Sequence, residues 1–256
     1  MKRFRDVARA GRIGDEVLLD GAHLIGEARA AGMALEVVAF AADAAQGRLA
    51  PLAADCTEGG ARVLTVSSSV LALMSPVKQP SGVIAIARLH PATIESAIAA
   101  GAPALVLLLD RIQDPGNVGA IVRSAEAFGA TAVIRSPGTA DPFGWKALRG
   151  SMGSAFRLPM AAAVSLDAPV AAARHAGLRI FATVARGGTP LDRASLAGPA
   201  MILLGGEGPG LSEEMIERAD ARLTIAMRVP VDSLNVSVAA ALIVYEASRQ
   251  RTHVVI

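Results

Sequence analysis

Hydrophobic residues recur in short runs that alternate with helix-like segments along most of the chain. The run ALVLLLD at 104–110 is continuous, as expected for a strand that is covered on both faces of a sheet. Further predicted strands lie at 132–134, 179–184, 200–205 and 223–226, and predicted helices separate them at 118–128, 168–176, 212–219 and 235–249. Asp167 and Ser212 are the expected N-caps of two of these helices. Such alternation predicts an α/β fold with a mostly parallel sheet and helices on both faces.

The first part of the chain has a different texture. Predicted strands lie at 37–40, 62–67 and 82–89, a short apolar run lies at 17–20, and helices are predicted at 23–32 and 68–74. Together they indicate a small α/β unit. The segment at 90–103 is predicted to be a linker helix or hinge. We therefore predict two domains, 1–98 and 99–256.

Composition narrows the class of protein. Hydrophobic residues make up 52% of the chain and charged residues 19%, which favours a packed core over disorder. Aromatic residues make up only 3%, so binding of bases by aromatic stacking is not expected. The net charge of +2 excludes a globally basic protein but not a local basic patch. Such an excess exists at the start of the chain, which is either a binding patch or a solvated, frayed terminus: Lys2, Arg3, Arg5, Arg9 and Arg12 against Asp6.

Metal sites, disulfides and membrane spans are not expected. Cys56 is the only cysteine, and the four histidines show no metal-binding spacing. No apolar stretch approaches the roughly 18 residues that a membrane span needs. The basic start of the chain is not followed by the apolar run of a signal peptide. These features predict a cytoplasmic protein without metal or membrane partners.

The first of three Gly-, Asn- and Pro-rich loops follows the first strand of the second region, where open parallel sheets bind ligands. A turn is predicted at 114–117, and Gly119 permits close approach of the backbone as a helix opens. Arg123 lies six residues beyond Asn117 on that helix. Arg123 is either a functional cation or an ordinary surface residue that pairs with Glu126.

The second and third loops follow later strands. In LLGGEGPGLSEE, at 203–214, four glycines and a proline surround Glu207. Such a loop is costly in backbone entropy unless it wraps a ligand, although a sharp turn with a solvated Glu207 is equally compatible. In the third loop, Ser233 and Asn235 precede an apolar helix, where each could be a plain N-cap.

The three loops together resemble the signatures of the SpoU (TrmH) family of RNA methyltransferases. The first signature is Asn117-x-Gly119-x-x-x-Arg123 followed by SAEAFGA, the second is LLGGEGPGLS, and the third is DSLNVSVAAALIVYE. All three occur in the order and spacing of the family. The segment SMGSAFRLP at 151–159 also resembles the family, and residues 13–90 resemble its N-terminal substrate-binding domain more loosely.

The resemblance implies a fold, a cofactor and a site. The catalytic domain of the family is a parallel-sheet α/β fold with a C-terminal trefoil knot, and a small ribosomal-protein-like α/β domain precedes it. The family is dimeric, and its active site is completed at the subunit interface. The implied cofactor is S-adenosylmethionine, bound by residues of the second and third loops: Gly205, Gly206, Gly210, Ile225, Met227 and Leu234. The implied catalytic cluster consists of Asn117, Arg123, Glu207, Ser233 and Asn235.

The chain departs from the family in two of the signatures. The third usually begins Ile-Pro-Met-x-Gly, whereas this chain reads IAMRV from Ile225 to Val229. In the second, Gly206 stands where asparagine is common. These changes bear on the rigidity of the cofactor loops, while the functional side chains are all present.

The implied reaction transfers a methyl group to a ribose 2′-hydroxyl of a structured RNA, with ribosomal RNA favoured over transfer RNA. A guanidinium is ordinarily protonated at pH 7, so Arg123 could act as a base only if burial made it neutral. Two roles for Arg123 therefore stay open. A buried, neutral Arg123 could accept the hydroxyl proton, or a charged Arg123 could steady the developing alkoxide or an RNA phosphate while water accepts the proton. The alternatives to an RNA methyltransferase are a non-catalytic RNA-binding protein on the same fold and an unrelated α/β enzyme of a small nucleotide.

Overall fold

The computed structural model describes residues 1–251 and contains two compact units. Unit 1 consists of residues 1–91 together with 141–157, and unit 2 of residues 92–140 together with the chain from 158 onward. The boundary between the units therefore lies near residue 91, and the later segment 141–157 belongs to unit 1. The predicted division at residue 98 into two functional domains stays a prediction.

Unit 1 is built on a five-stranded sheet. Its strands are β1 (Arg12–Ile13), β2 (Glu16–Asp20), β3 (Leu35–Ala41), β4 (Arg62–Val66) and β5 (Val83–Arg88). Their order is β1-β2-β5-β3-β4, in which β3 and β4 are parallel and the other neighbours are antiparallel. Its helices are α1 (Lys2–Ala10), α2 (Ala22–Ala30), α3 (Ala42–Gln46), α4 (Ala50–Glu58), α5 (Ser68–Met74) and, from the later segment, α8 (Trp145–Ser151).

The three strands predicted in this region are confirmed, and so are the helices at 23–32 and 68–74; the apolar run at 17–20 belongs to the further strand β2. Ser67 caps α5 by accepting a hydrogen bond from the backbone of Val70. The start of the chain is not frayed, because Lys2–Ala10 form a helix whose Phe4 and Val7 are buried. The sequence analysis did not assign α3 and α4, which fill the stretch between β3 and β4.

The segment 141–157 packs within unit 1. Gly153 has φ +93°, and a Cβ at this position would lie 2.6 Å from the Cγ of Glu27. Arg157 forms an ion pair with the same Glu27. A glycine is therefore needed at 153 for the segment to lie against α2.

Unit 2 is built on a seven-stranded sheet in which all neighbouring strands are parallel. Its strands are β6 (Leu105–Asp110), β7 (Ala132–Arg135), β8 (Met160–Ala162), β9 (Arg179–Thr183), β10 (Thr189–Pro190), β11 (Ala200–Gly205) and β12 (Ala221–Thr224). The spatial order is β10-β12-β9-β11-β6-β7-β8. The chain starts near the middle and builds outward through β7 and β8. It then returns to place β9 on the other side, and inserts β11 between β9 and β6. The predicted parallel-sheet α/β fold is confirmed.

Helices cover both faces of this sheet: α6 (Ile94–Ile98), α7 (Pro115–Ala127), α9 (Asp167–His175), α10 (Glu213–Glu217) and α11 (Val236–Arg251). Alternate residues of β6 serve the two faces. Val106 and Leu108 belong to a core shared with α6, α9 and α10, while Leu105, Leu107 and Leu109 are buried on the opposite face of the sheet. No helix within residues 1–251 has both the length and the apolar character needed to cross a membrane.

Two local predictions for unit 2 were wrong. Asp167 is not an N-cap, because it is the first residue of α9, after Leu166, and its carboxylate accepts a hydrogen bond from Arg218. The turn predicted at 114–117 is instead the N-cap and first turn of α7. Ser212 caps α10 as expected. The trefoil knot stays a prediction.

Candidate functional site

The first loop of the candidate site is fixed by the cap of α7. Asp114 is the N-cap, and its Oδ1 accepts hydrogen bonds from the backbone of Gly116 at 2.6 Å and Asn117 at 3.0 Å. Pro115 follows at the first helical position, where its missing N–H costs nothing. This cap holds Asn117 in the first helical turn, with its side chain free to make other contacts.

A buried polar network supports the base of this loop. Ser136 Oγ donates to Asp110 Oδ1 at 2.7 Å and accepts from the backbone N–H of Arg111 at 3.2 Å. The other oxygen of Asp110 accepts a hydrogen bond from Arg111 Nε at 3.1 Å. Arg111 has φ +54°, a left-handed conformation that is unfavourable for a residue with a side chain. The network therefore holds a strained residue at the point where the chain leaves β6.

Replacing Ser136 by alanine tests this network. The variant Ser136→Ala leaves a buried Asp110 oxygen and the Arg111 N–H without this partner, so we expect unfolding free energy to fall by about 2 kcal/mol. Urea denaturation measures the change. The control Ser195→Ala removes an exposed serine and should change stability by less than about 0.5 kcal/mol. An equal, negligible effect of both substitutions would contradict the supporting role.

The second loop folds back on itself after β11. Gly206 and Gly210 form a β-bridge, and the N–H of Gly210 donates to Gly206 O at 3.2 Å. A Cβ on Gly205 would overlap the backbone of Gly210 and Leu211, and one on Gly206 would overlap the carbonyl oxygen of Arg111. Both positions therefore require glycine for this loop to close against the end of β6.

The third loop delivers Asn235 to the start of α11. Its Oδ1 accepts hydrogen bonds from Ser237 N at 2.9 Å and Ser237 Oγ at 2.6 Å, which is the geometry of an N-cap. Its Nδ2 donates to Asn117 Oδ1 at 3.1 Å. Asn235 thus caps the helix and contacts the first loop at the same time.

Side chains from the three loops form one hydrogen-bonded chain. Asn117 Nδ2 donates to Glu207 Oε1, and Asn117 Oδ1 accepts from Asn235. The carboxylate of Glu207 lies at the N-terminal turn of α7, where the helix dipole favours a negative charge. Both polar ends of the Asn117 amide are engaged, so its orientation is determined by the other two loops.

A cavity of about 560 Å³ opens beside this chain at the carboxyl ends of β9, β11 and β12. All six residues predicted to bind a cofactor line it: Gly205, Gly206, Gly210, Ile225, Met227 and Leu234. Glu207, Ser233 and Asn235 also line it, and Asn117, which is not part of the lining, hydrogen-bonds to Glu207 and Asn235. The volume lies within the range of small-molecule sites. The two departures from the third signature, Ala226 and Val229, fall on exposed residues.

Arg123 lies apart from the other four predicted catalytic residues. It is exposed and does not line the cavity. Six residues along a helix correspond to about 9 Å of rise and to a different face of α7 from that of Asn117. Within residues 1–251, its side chain makes neither a hydrogen bond nor an ion pair, so the surface pair with Glu126 does not form. In a single chain, the structure does not bring Arg123 to the cavity.

One wall of the cavity was missed by the sequence analysis. Residues 183–185, at the end of β9, line it, and Thr183 Oγ1 donates to Leu203 O at 2.8 Å on the neighbouring strand. The strand itself had been predicted, and its carboxyl end must meet the same edge of the sheet as β11. The sequence does not give the order of the strands in the sheet, and this order was the missing information needed to predict this wall. Within residues 1–251, no group of His, Cys, Asp and Glu side chains is arranged to hold a metal ion.

Family comparisons match both units. The SpoU rRNA Methylase family matches residues 104–245, and the family described as RNA 2′-O ribose methyltransferase substrate binding matches residues 18–92. An uncharacterised tRNA/rRNA methyltransferase of Mycobacterium sp. (strain KMS) is 42% identical over 166 residues, which cover 63% of this chain and 52% of the relative. The chain thus spans about half the length of this and similar mycobacterial relatives.

Other relatives match nearly end to end. The 23S rRNA (guanosine(2553)-2′-O)-methyltransferase RlmP of Bacillus subtilis is 29% identical over 89% of this chain and 86% of its own length. Among solved structures, the SpoU methyltransferase AviRb of Streptomyces viridochromogenes in complex with AdoMet has a TM-score of 0.83 at 29% identity, covering 98% of this chain and 97% of that one. An AdoMet-bound rRNA methyltransferase of Sinorhizobium meliloti has a TM-score of 0.82 at 27% identity, covering 97% of this chain and 90% of its own.

Proposed function

The chain belongs to the SpoU rRNA methylase family, and on that basis we propose that it is an S-adenosylmethionine-dependent RNA ribose 2′-O-methyltransferase. The observation that carries this proposal is the hydrogen-bonded chain of Glu207, Asn117 and Asn235 beside the cavity. Polar side chains from three separate loops orient one another there. Such an arrangement suits the positioning of a sugar hydroxyl against a small-molecule donor.

The cavity fits the proposed cofactor. Its volume of about 560 Å³ is sufficient for a nucleoside with an amino-acid arm. Ile225, Met227 and Leu234 give it an apolar wall for an adenine ring, and the loop at 205–210 turns backbone groups toward it. When bound there, S-adenosylmethionine would supply an electrophilic methyl group on a positively charged sulfur.

We assign the remaining work to the side chains of the three loops. Asn117, whose amide is fixed at both ends, would orient the ribose, and Glu207 would hold Asn117 and balance the positive charge of the donor. Ser233 and Asn235, at the start of α11, would contact both substrate and cofactor. The hydroxyl oxygen would form its bond to the methyl carbon as the carbon–sulfur bond breaks, and its proton would pass to water.

For Arg123 we favour the charged role. The side chain of Arg123 is exposed, and a guanidinium in water carries a positive charge. A second subunit could receive Arg123 near its own cavity, where the charge would steady an RNA phosphate or the developing alkoxide.

The variant Arg123→Lys separates the two roles. If Arg123 acts as a cation, we expect methyl transfer to slow by about 10- to 100-fold without a change in the shape of the pH–rate profile, because lysine is also charged below about pH 10. If Arg123 were the base, the lower intrinsic pKa of lysine would move the limb of the profile to lower pH. Arg193→Lys, at another exposed arginine, is the control.

We propose that the protein is a homodimer. Val238, Leu242 and Tyr245 form a stripe along α11 and are 48%, 41% and 53% exposed. Their spacing places them on one helical face, and such a continuous apolar stripe is typical of an interaction surface. A symmetric pair of these faces would bury the stripe and could bring Arg123 of one subunit toward the site of the other.

Replacing Leu242 by glutamate is expected to produce a monomer, because two charges would be buried at a symmetric interface. Sedimentation velocity measures the state, and methyl transfer should fall with it. The control Val164→Glu places the same charge on a valine that is 90% exposed outside the stripe. A dimer that persists in Leu242→Glu would contradict this interface.

Ribosomal RNA is our preferred substrate over transfer RNA, and the expected location is the cytoplasm. The match of residues 18–92 to a substrate-binding family and the near full-length likeness to RlmP support the choice of RNA. The trefoil knot belongs to the same proposal.

The proposed activity is tested by incubating the protein with methyl-labelled S-adenosylmethionine and deproteinised 23S rRNA, 16S rRNA or bulk tRNA. We expect label in ribosomal RNA and little in tRNA. A non-catalytic RNA-binding protein would show no cofactor binding by calorimetry and no label in any RNA. Comparison of ribose methylation in a deletion strain and its parent then identifies the nucleotide.

A further inference from the structure

We propose that the exposed face of α1, extended by the start of α8, binds the phosphate backbone of RNA. The inference rests on the proposed function, because it concerns how the same RNA substrate is held. Helix α1 lies outside both family matches, at 18–92 and 104–245. The surface is therefore a property of this chain beyond the substrate-binding region that the family defines.

The sequence of α1 forces its charges to one side. Phe4 and Val7 are buried and attach the helix to unit 1. Lys2, Arg5 and Arg9 recur at intervals of three and four residues, so they share the face opposite these anchors. All three are exposed. The helix thus presents a row of three cations to solvent.

Pairing distinguishes these cations from their neighbours. Arg3 forms ion pairs with Glu16 and Glu36, and Arg88 pairs with the same Glu36. Arg12 also forms an ion pair, in which its Nε lies 3.4 Å from Asp141 Oδ2.

By contrast, Lys2, Arg5 and Arg9 make no ion pair with any residue in the described range 1–251. The one acidic residue of the helix, Asp6, does not pair with them either. Cations whose charge is not balanced by the protein are available to an external anion.

Helix α8 continues the basic surface. Gly11, just after α1, approaches Gly144, just before α8, and a Cβ on Gly11 would lie 3.8 Å from the Cα of Gly144. Lys146 and Arg149 of α8 are exposed and form no ion pair within residues 1–251, although Lys146 Nζ lies over the ring of Trp145 and the charge of Arg149 acts on the carboxyl of Asp20. Two helices that are distant in sequence therefore bring five exposed cations to adjoining parts of unit 1.

The chemistry favours RNA phosphates as the partner. The chain has a net charge of +2, although its first twelve residues contain five cations and one anion, so the remainder is slightly acidic. The basic charge is therefore concentrated here rather than spread over the surface. Only 3% of residues are aromatic, so the surface would contact the backbone rather than stack on bases.

The test compares two triple variants of the full chain. Lys2→Gln, Arg5→Gln and Arg9→Gln together remove the row on α1. The control, Arg179→Gln, Arg193→Gln and Arg222→Gln, removes the same charge from exposed arginines of unit 2 that form no ion pair within residues 1–251. Filter binding of deproteinised 23S rRNA is measured between about 50 and 200 mM salt.

We expect the α1 variant to bind about tenfold more weakly near 0.1 M salt, and its log–log salt slope to be smaller in magnitude by roughly two to three. The control should change affinity less than about threefold. Both should retain the wild-type affinity for S-adenosylmethionine, since none of the six residues lines the cavity. A second variant, Lys146→Gln with Arg149→Gln, should reduce the magnitude of the log–log salt slope by about one to two.

Equal losses and equal slopes in the α1 variant and the control would overturn the proposal, since net charge alone would then explain binding. Wild-type binding to anionic lipid vesicles but not to 23S rRNA would also overturn it. If RNA binding depends on α1 but no RNA is methylated, the basic surface is supported and the proposed activity fails. If RNA is methylated but α1 makes no difference, only the basic surface fails.

Discussion

Replacing Asn117 by alanine should lower the rate of methyl transfer by about a hundredfold to a thousandfold, with little change in cofactor affinity. Asn117 is the link between the second and third loops, because its amide donates to Glu207 and accepts from Asn235. Its loss removes a fixed polar group at the position proposed for the ribose and frees both partners to move. Single-turnover kinetics with saturating RNA measure the rate, and calorimetry measures cofactor binding.

The control for this substitution is Gln113→Ala. Gln113 is exposed on the same loop, before the Asp114 cap, and its replacement should leave the rate within about twofold. A normal rate in Asn117→Ala would show that the hydrogen-bonded chain of side chains has no role in methyl transfer. An equal fall in rate and in cofactor affinity would assign Asn117 to the cofactor rather than to the ribose.

The second large effect is expected for Gly205→Ala, which should weaken S-adenosylmethionine binding at least about a hundredfold. A Cβ at this position overlaps the backbone of Gly210 and Leu211 and would lie 2.9 Å from the Cα of Gly210. Backbone cannot move aside as the end of a flexible side chain can, so the loop must open and carry Gly206 and Gly210 away from the cavity. Calorimetry with S-adenosylmethionine measures the loss.

Gly198→Ala is the matched control, because a Cβ there meets no atom within 4 Å and its backbone is not left-handed. This variant should bind the cofactor as the wild type does. Retention of affinity within about threefold in Gly205→Ala would mean that closure of the loop does not shape the cofactor site. Circular dichroism of both variants separates loss of the site from loss of the fold.

The sequence was sufficient for the part of the fold that local patterns determine. Continuous apolar runs identified the central strands β6 and β11, since residues buried on both faces leave no polar alternation. The three polar loops were expected to converge because they follow parallel strands, and Asn117 does hydrogen-bond to both Glu207 and Asn235. The proposed cofactor and the proposed catalytic residues came from the family resemblance, not from these patterns.

Other features depend on contacts between residues that are distant in sequence, and local sequence patterns could not predict them. Residues 141–157 join unit 1 through the fit of Gly153 against Glu27, which no periodicity reveals. Glu207 and Arg123 were expected in one catalytic cluster, yet within residues 1–251 Glu207 accepts a hydrogen bond from Asn117, and Arg123 lies away from the cavity. The order of the strands decided which loop ends form the cavity, and so residues 183–185 were missed.

Helix α1 shows how composition can mislead. Its basic residues suggested either a patch or a frayed end, and the packed helix that Phe4 and Val7 anchor was not predicted. In nine residues, two anchors are enough because both are almost fully buried in unit 1. Because the segment forms an ordered helix, its basic residues lie on a defined surface.

The position of the transferred methyl group tests the central claim most directly. RNA labelled by the protein from methyl-labelled S-adenosylmethionine can be hydrolysed with alkali, which cleaves next to free 2′-hydroxyls but not next to methylated ones. The geometry of the three loops predicts label in alkali-resistant dinucleotides, and its loss in Asn117→Ala but not in Gln113→Ala. Label recovered in mononucleotides, as from a methylated base, would contradict the account.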